Sequence, residues 1–168
     1  MKRLKSAIPL TILLFIIYIV FSGSLSTYDI VTGIVVSITV STIFSTFVIS
    51  NPNKILNFKR WLYLLEYALY YFFVAEVKCH LDVMYRILHP KLPVKPGIVA
   101  VPYNVSTDYA ITAVANSITN TPGTVVVDID TSKKTYYVHW IYVKTTKPDK
   151  AREEISSIFE KYAMKIFD

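Results

Sequence analysis

Two uncharged apolar stretches follow one another early in this chain, and they constrain its fold more than any other feature. Ala7 to Phe21 is apolar except for Pro9, Thr11 and Tyr18, and it follows the basic start Met1-Lys2-Arg3-Leu4-Lys5. A second run without charge extends from Ile30 to Asn53. About 20 residues are enough to span a hydrocarbon core. A secretory signal would be followed by a small-residue cleavage site and a polar domain, whereas here a second apolar run follows. The two stretches are therefore read as retained helices, about 4–25 and 30–50, forming a membrane hairpin. Thr32, Gly33, Ser37, Thr39, Ser41, Thr42, Ser45 and Thr46 crowd the second helix. Small residues and hydroxyls let helices approach closely, which predicts a packing face for other membrane subunits; the hydroxyls can equally bond their own helix carbonyls.

The basic balance, 18 Lys+Arg against 12 Asp+Glu, raises nucleic acid as a competing partner. Its distribution excludes that reading. Lys2, Arg3, Lys5, Lys54, Lys59 and Arg60 stand against Asp29 alone in residues 1–60, whereas residues 96–168 carry eight bases and eight acids. Charge of one sign beside hydrophobic helices marks membrane flanks, not a groove that tracks phosphates. With 53% hydrophobic residues and a mean hydropathy of +0.41, an ordinary soluble enzyme domain is excluded as well. The single cysteine, Cys79, forms no internal disulfide, and His80, His89 and His139 have no metal-ligand spacing, so neither a cofactor nor a metal site is expected.

A third segment, about 60–88, is apolar and aromatic, with Trp61, Tyr63, Tyr67, Tyr70, Tyr71, Phe72 and Phe73, yet contains Glu66 and Glu76. Carboxylates at membrane depth are expensive and raise an ion- or proton-handling hypothesis for both, Glu76 ahead of Glu66. The alternative places them at headgroup level or against a basic residue of a neighbour. Lys78, Asp82 and Arg86 recur every four residues, so this end is amphipathic and emerges from lipid. Topology conflicts with charge here. If both basic clusters are cytoplasmic, a full third crossing would place the rest of the chain outside. Either one cluster lies on the wrong side, or the third helix lies partly in the interface and the hairpin alone crosses.

Pro90, Pro93 and Pro96 make residues 90–97 a stiff extended connector, dividing a membrane region, 1–89, from a C-terminal domain, 98–168. Strand patterns at Ile98–Tyr103, Thr124–Asp130 and Thr135–Val143 and helix patterns at Ser106–Thr119 and Asp149–Phe167 predict a small α/β domain of β-α-β-β-α order, with Ser106 or Asp108 as a cap. In the last helix Ile155, Ile158, Phe159, Tyr162 and Ile166 share the sheet-facing side, and Arg152, Glu153, Glu154, Glu160 and Lys161 occupy the remainder. Thr121-Pro122-Gly123-Thr124 predicts a type II turn, since proline presets its second position and glycine accepts positive φ at its third. Asp128, Asp130 and His139 fall on adjacent strands without a nucleophile. Alternation places His139 with Ile141 and Val143, as a core or interface residue.

Pro90 to Ile98, Ala115 to Thr124 (containing Thr119, Thr121, Pro122, Gly123 and Thr124) and Tyr137-Val138-His139 together resemble the E subunit of multisubunit Mrp-type Na+/H+ antiporters. The resemblance covers nearly the whole chain. Two positions depart from the family pattern: Asn120 replaces a usual Leu, and Ala75 replaces a Lys before Glu76. Lys78 lies about 200° around the helix from Glu76 and does not replace that lysine. The resemblance implies an accessory, non-catalytic, multi-pass subunit of the cell membrane, binding no cofactor. Na+ and H+ would move in larger partner subunits, and the C-terminal domain would be cytoplasmic. Relatives of this subunit also occur in archaeal membrane-bound hydrogenases and sulfur-reducing complexes. The resemblance implies such a respiratory complex, with hydrogenase and iron–sulfur partners, ahead of a stand-alone antiporter, and the Ile-, Lys- and Tyr-rich, Cys-poor composition leans towards a thermophilic source. A membrane-tethered enzyme or ligand-binding adaptor is the distant alternative.

Overall fold

The computed structural model describes residues 2–49, 51–55 and 57–168, with nothing said of the side chains of residues 2–5 and 53. The predicted basic flank Lys2, Arg3 and Lys5 thus has described backbone only. The chain divides into two compact units, Met1–Phe58 and Lys59–Asp168. It is mostly helical, with one small three-stranded antiparallel sheet.

The first unit is a helical hairpin. Helix α1 (Lys2–Ser22) and helix α2 (Thr27–Val48) are joined by Gly23–Ser26, and the one-turn helix α3 (Pro52–Ile55) follows. Ser26 caps α2 by accepting from the Asp29 amide. Gly33, Ser37, Ser41 and Ser45 recur every fourth residue and are the buried residues of α2. That spacing lays them in one stripe against α1, where Thr11 Oγ1 meets Ser41 Oγ at 2.5 Å and Tyr18 Oη meets Thr32 Oγ1 at 3.0 Å. A Cβ at Gly33 would stand 2.7 Å from the Tyr18 ring. The large apolar side chains, such as Ile12, Ile16, Val35 and Phe44, point outward, as a bilayer requires. Among the described residues α2 is the one helix both long and apolar enough to cross a membrane; the apolar part of α1, Ser6–Ser22, is shorter. The expected second helix thus begins earlier than residue 30, and Pro52–Ile55 forms a separate turn.

The second unit opens with a continuous helical rod, α4 (Phe58–Tyr70), a π turn (Tyr71–Ala75) and α5 (Glu76–Leu88). The π turn adds a residue to the helical repeat, so one inward stripe continues through Tyr63, Tyr67, Tyr71, Ala75, Val83 and Arg86. Strand β1 (Gly97–Pro102), helix α6 (Asp108–Asn120), β2 (Thr124–Asp130), β3 (Thr135–Trp140), α7 (Pro148–Ile155) and α8 (Ser157–Ile166) follow. The sheet order is β1-β3-β2, with Val99 opposite Val138 and Val125 opposite His139, and with a bulge between Val126 and Asp128. Val99, Val101, Tyr136, Val138 and Trp140 form the covered face and join the core with Val114, Ile118 and Phe159 from the helices.

Five expectations are corrected. Thr107, not Ser106 or Asp108, caps α6, because its Oγ1 accepts from the Ala110 amide at 3.3 Å while Asp168 Oδ1 holds the Thr107 amide and hydroxyl. The third strand stops at Trp140; beyond it Tyr142 pairs with connector residue Lys95, since the Lys95 amide donates to the Ile141 carbonyl and the Val143 amide to the Lys95 carbonyl. The last helix is broken at Ser156. Glu160, assigned to the solvent side, is fully buried: Arg152 grips its carboxylate at 3.0 and 2.9 Å, and Ser156 Oγ and the Asn104 amide donate to it at 2.7 and 3.0 Å. His139 faces away from the core, paired with the exposed Ile98 and Val125 on the uncovered side of the sheet.

Candidate functional site

The candidate carboxylates sit where the α4–α5 rod packs on α8 and α6. Tyr63, Tyr67 and Tyr70 fall three or four residues apart in α4, and the rings of Tyr67, Tyr70 and the π-turn residue Tyr71 meet Phe159 and Tyr162 of α8. Tyr67 lies 5.2 Å from Tyr162 and 6.5 Å from Phe159, and Tyr71 lies 6.0 Å from Phe159. The Tyr67 hydroxyl bonds Ser117 Oγ, which donates to the Ala113 carbonyl at 2.7 Å and so ties the rod to α6. Such tilted aromatic pairs add roughly 0.5–1.5 kcal/mol each beyond their buried area.

Glu66 belongs to this seam. Tyr162 Oη donates to Glu66 Oε1 at 3.1 Å, and burial, followed by the Glu66 bond and charge, pushes the Tyr162 phenol above its ordinary value. Beside it, Arg60 donates to the Ile166 carbonyl at 2.6 Å and Lys165 stands 4.8 Å from the Tyr63 ring centre. Glu76 stands apart, at the first position after the π turn. Its side chain is 18% exposed, and His80 Nδ1 lies 3.2 Å from its Oε2 and 2.8 Å from its backbone carbonyl. The structure thus separates the two glutamates by the π turn and gives each a partner of its own. Arg86, expected to compensate Asp82, does so through two bonds of 2.9 Å. It is also buried, donates to the Pro93 carbonyl at 2.8 Å and stacks 4.2 Å from the Tyr142 ring centre, fastening the connector to the rod.

The motif residues have structural duties. Thr121 Oγ1 and Thr124 Oγ1 both donate to the Ile118 carbonyl, at 2.9 and 2.8 Å, satisfying the end of α6. Thr119 Oγ1 accepts from the Val126 amide at 3.2 Å. Gly123 has φ +96°, as the third position of the expected turn requires, and a Cβ there would meet Ile141 at 3.1 Å and Val83 at 3.4 Å. The motif therefore locks α6, β2 and α5 together, and His139 lies outside it. Among the described residues no three His, Cys, Asp or Glu side chains gather as a metal site.

The family model described as "Na+/H+ ion antiporter subunit" matches residues 11–166, through both units. The chain belongs to this antiporter subunit family. Within the family it is similar to the Na(+)/H(+) antiporter E subunit of Alkalihalophilus pseudofirmus, 29% identical over 95% of this chain and 96% of the relative. It is 31% identical to the antiporter E1 subunit of Staphylococcus haemolyticus over the same shares. Among solved structures it resembles a chain of the membrane-bound sulfane sulfur reductase, an archaeal respiratory membrane complex, with a TM-score of 0.84 and 35% identity over 97% of this chain and 99% of that one. These relatives thus align with this chain continuously through the hairpin, the aromatic rod and the α/β domain. The family places the chain in a membrane, among the subunits of a hetero-oligomeric assembly.

Proposed function

We infer that this chain is an accessory, non-catalytic subunit of an Mrp-type Na+/H+ antiporter module housed in a respiratory membrane complex of the cell membrane, with its α/β domain in the cytoplasm. The observation that carries this reading is the end-to-end similarity, at 35% identity, to a chain of an archaeal respiratory complex. Identities to the antiporter subunits, 29% and 31%, support the stand-alone antiporter as the second reading. Na+ and H+ move through larger partner chains, and this subunit holds the module together through its hairpin and docked domain. The basic cluster Lys54, Lys59 and Arg60 beside the second unit supports the cytoplasmic side. Affinity purification of the tagged chain from its native membrane tests the assignment. Copurifying iron–sulfur or hydrogenase-type subunits are expected, and antiporter subunits alone would overturn the respiratory assignment.

Of the two glutamates, Glu76 is the coupling residue in this reading, because it is the more enclosed, its side chain 18% exposed at the π turn. Glu76 and His80 form a carboxylate–imidazole pair at the π turn, with His80 Nδ1 3.2 Å from Glu76 Oε2. Glu76→Gln in the assembled complex should shift the pH profile of Na+/H+ exchange while leaving subunit content intact. An unchanged profile removes Glu76 from the mechanism.

A further inference from the structure

We propose that Tyr71 is a positioning residue for Glu76: its buried hydroxyl donates to the Glu76 carboxylate, and the π turn is the device that puts the two on one side of the rod. The link between the side chains stands on the geometry of this unit alone; its consequence for transport rests on the reading of Glu76 as the coupling residue.

In an uninterrupted α-helix, residues five apart lie about 140° from one another around the axis, because each residue turns the chain by about 100°. A hydroxyl on Tyr71 would then face away from a carboxylate on Glu76. In the π turn the backbone closes over five residues instead of four, and the Glu76 amide donates to the Tyr71 carbonyl. Residues 71 and 76 are thereby stacked one above the other, as residues four apart are in the α-helices on either side. Glu76 in turn stands four residues before His80, whose Nδ1 lies 3.2 Å from Glu76 Oε2. Tyr71, Glu76 and His80 thus form one row, which starts against the domain core and ends at the largely exposed imidazole of His80.

The inner end of the row is held in place. The Tyr71 ring packs on Tyr67, Phe72 and Phe159 at centroid distances of 5.8, 5.5 and 6.0 Å, and Ala75, one residue before Glu76, is buried in the core. The Tyr71 hydroxyl is enclosed yet completes no hydrogen bond among the described residues, and the carboxylate close enough to act on it is that of Glu76. An enclosed hydroxyl is costly to leave unbonded, and a bond to a charged acceptor is stronger than one to a neutral acceptor. The grip of His80 on the carboxylate is loose by comparison, since the same Nδ1 lies nearer the Glu76 carbonyl, at 2.8 Å. Turning the carboxylate inward satisfies Tyr71 and gives up only the longer of the two His80 contacts. The other titratable groups at this end of the rod are Tyr67, which bonds Ser117, Lys78, Cys79 and Asp82 on α5, and Lys144 beyond β3, held by Glu154 at 2.7 Å.

The test is a double-mutant cycle in the full-length chain within its assembled complex, pairing Tyr71→Phe, which keeps the packed ring and removes one oxygen, with Glu76→Ala. Hydrogen exchange of the amide at position 76, corrected for its intrinsic rate, reads the opening of the π turn. Each single variant should exchange about 10-fold faster than the unaltered chain, and the double variant no faster than Glu76→Ala alone. An unchanged or slower rate in Tyr71→Phe would mean that the hydroxyl has no bond to lose and would overturn the proposal. Effects that multiply in the double variant would overturn it equally. Na+/H+ exchange in the same complexes is a separate readout. Tyr71→Phe should move its pH profile in the otherwise unaltered chain and leave it unmoved in a Glu76→Gln background; a shift that persists in that background would mean that Tyr71 acts otherwise than through Glu76 and overturn the positioning role. A profile unmoved by Tyr71→Phe and by Glu76→Gln, with the amide effects still non-additive, would remove Glu76 from coupling and uphold the hydroxyl–carboxylate link.

Discussion

Glu160 shows how one side chain fixes the end of the chain. Its buried carboxylate is held by Arg152, Ser156 and the Asn104 amide, and Ser156, between them, is where the last helix breaks. The partners differ in exposure, 29% for Arg152 against 0% for Glu160, so their removal should differ. Arg152→Ala leaves a buried carboxylate without its counter-charge, which costs about 3–5 kcal/mol. Glu160→Gln keeps an oxygen acceptor and frees an arginine that reaches water, so it should cost less. Thermal unfolding of the solubilised full-length chain checks the order, with the larger drop, roughly 6–20 °C, for Arg152→Ala. The reverse order would place the essential charge on Glu160. Asp130, in the turn from β2 to β3, offers a pH-dependent counterpart. Hydrogen bonds from Ser132 Oγ and the Lys133 amide, at 2.6 and 2.9 Å, hold its carboxyl well below the usual carboxylate range. The ionised form is thus favoured by folding, and its contribution is present above about pH 4 and fades as pH falls through the lowered value. Protection of the Lys133 amide from exchange should fall with acid in the native chain and stay flat through the same range in Asp130→Asn.

The hairpin and the rod are elements whose existence the sequence makes plain and whose packing it only half reveals. Small residues at every fourth position of α2 announce a close helix contact, and the structure places α1 on it, so the stripe serves the hairpin itself. Ser37 and Ser45 bury hydroxyls without a hydrogen-bond partner, whereas Thr39 and Thr42 bond their own helix carbonyls at 2.8 and 2.7 Å. Ser37→Ala removes an unsatisfied oxygen and should leave stability unchanged or raised. Gly33→Leu drives a side chain into the Tyr18 ring and should separate the helices. Crosslinking between cysteines placed at Thr11 and Ser41, whose hydroxyls meet at 2.5 Å, should persist in the first variant and disappear in the second. The rod's length was likewise legible from apolar content, but its inward face was not. The π turn adds a residue, so a 3.6-residue pattern read through Tyr67, Tyr71 and Ala75 loses phase before Val83 and Arg86. Glu160 escaped for a different reason: a charge beside Lys161 and Glu153 reads as solvent-facing until its partners from Asn104 and Ser156 are assembled around it. His139 fell on the wrong face because alternation was extended to Val143, past the point where β3 ends at Trp140.

At the scale of the whole molecule, the second unit has more apolar surface than its own elements cover. Besides the outward side of α4, the sheet leaves Ile98, Val125 and Val127 at 62%, 44% and 51% exposure on a face that no helix among the described residues covers. A domain of this size has little stability to spare, so docking within the complex should contribute measurably. A partner present at 100 times its dissociation constant contributes about 2.7 kcal/mol to the folded state, which corresponds to roughly 100-fold slower exchange through global opening. Val138, in the central strand and fully buried, opens only when the core does. Its amide should therefore exchange about 100-fold more slowly in the purified complex than in the same full-length chain purified alone in the same detergent. Equal rates would mean that the α/β domain folds without help from its neighbours, and that the accessory role is carried by the hairpin alone.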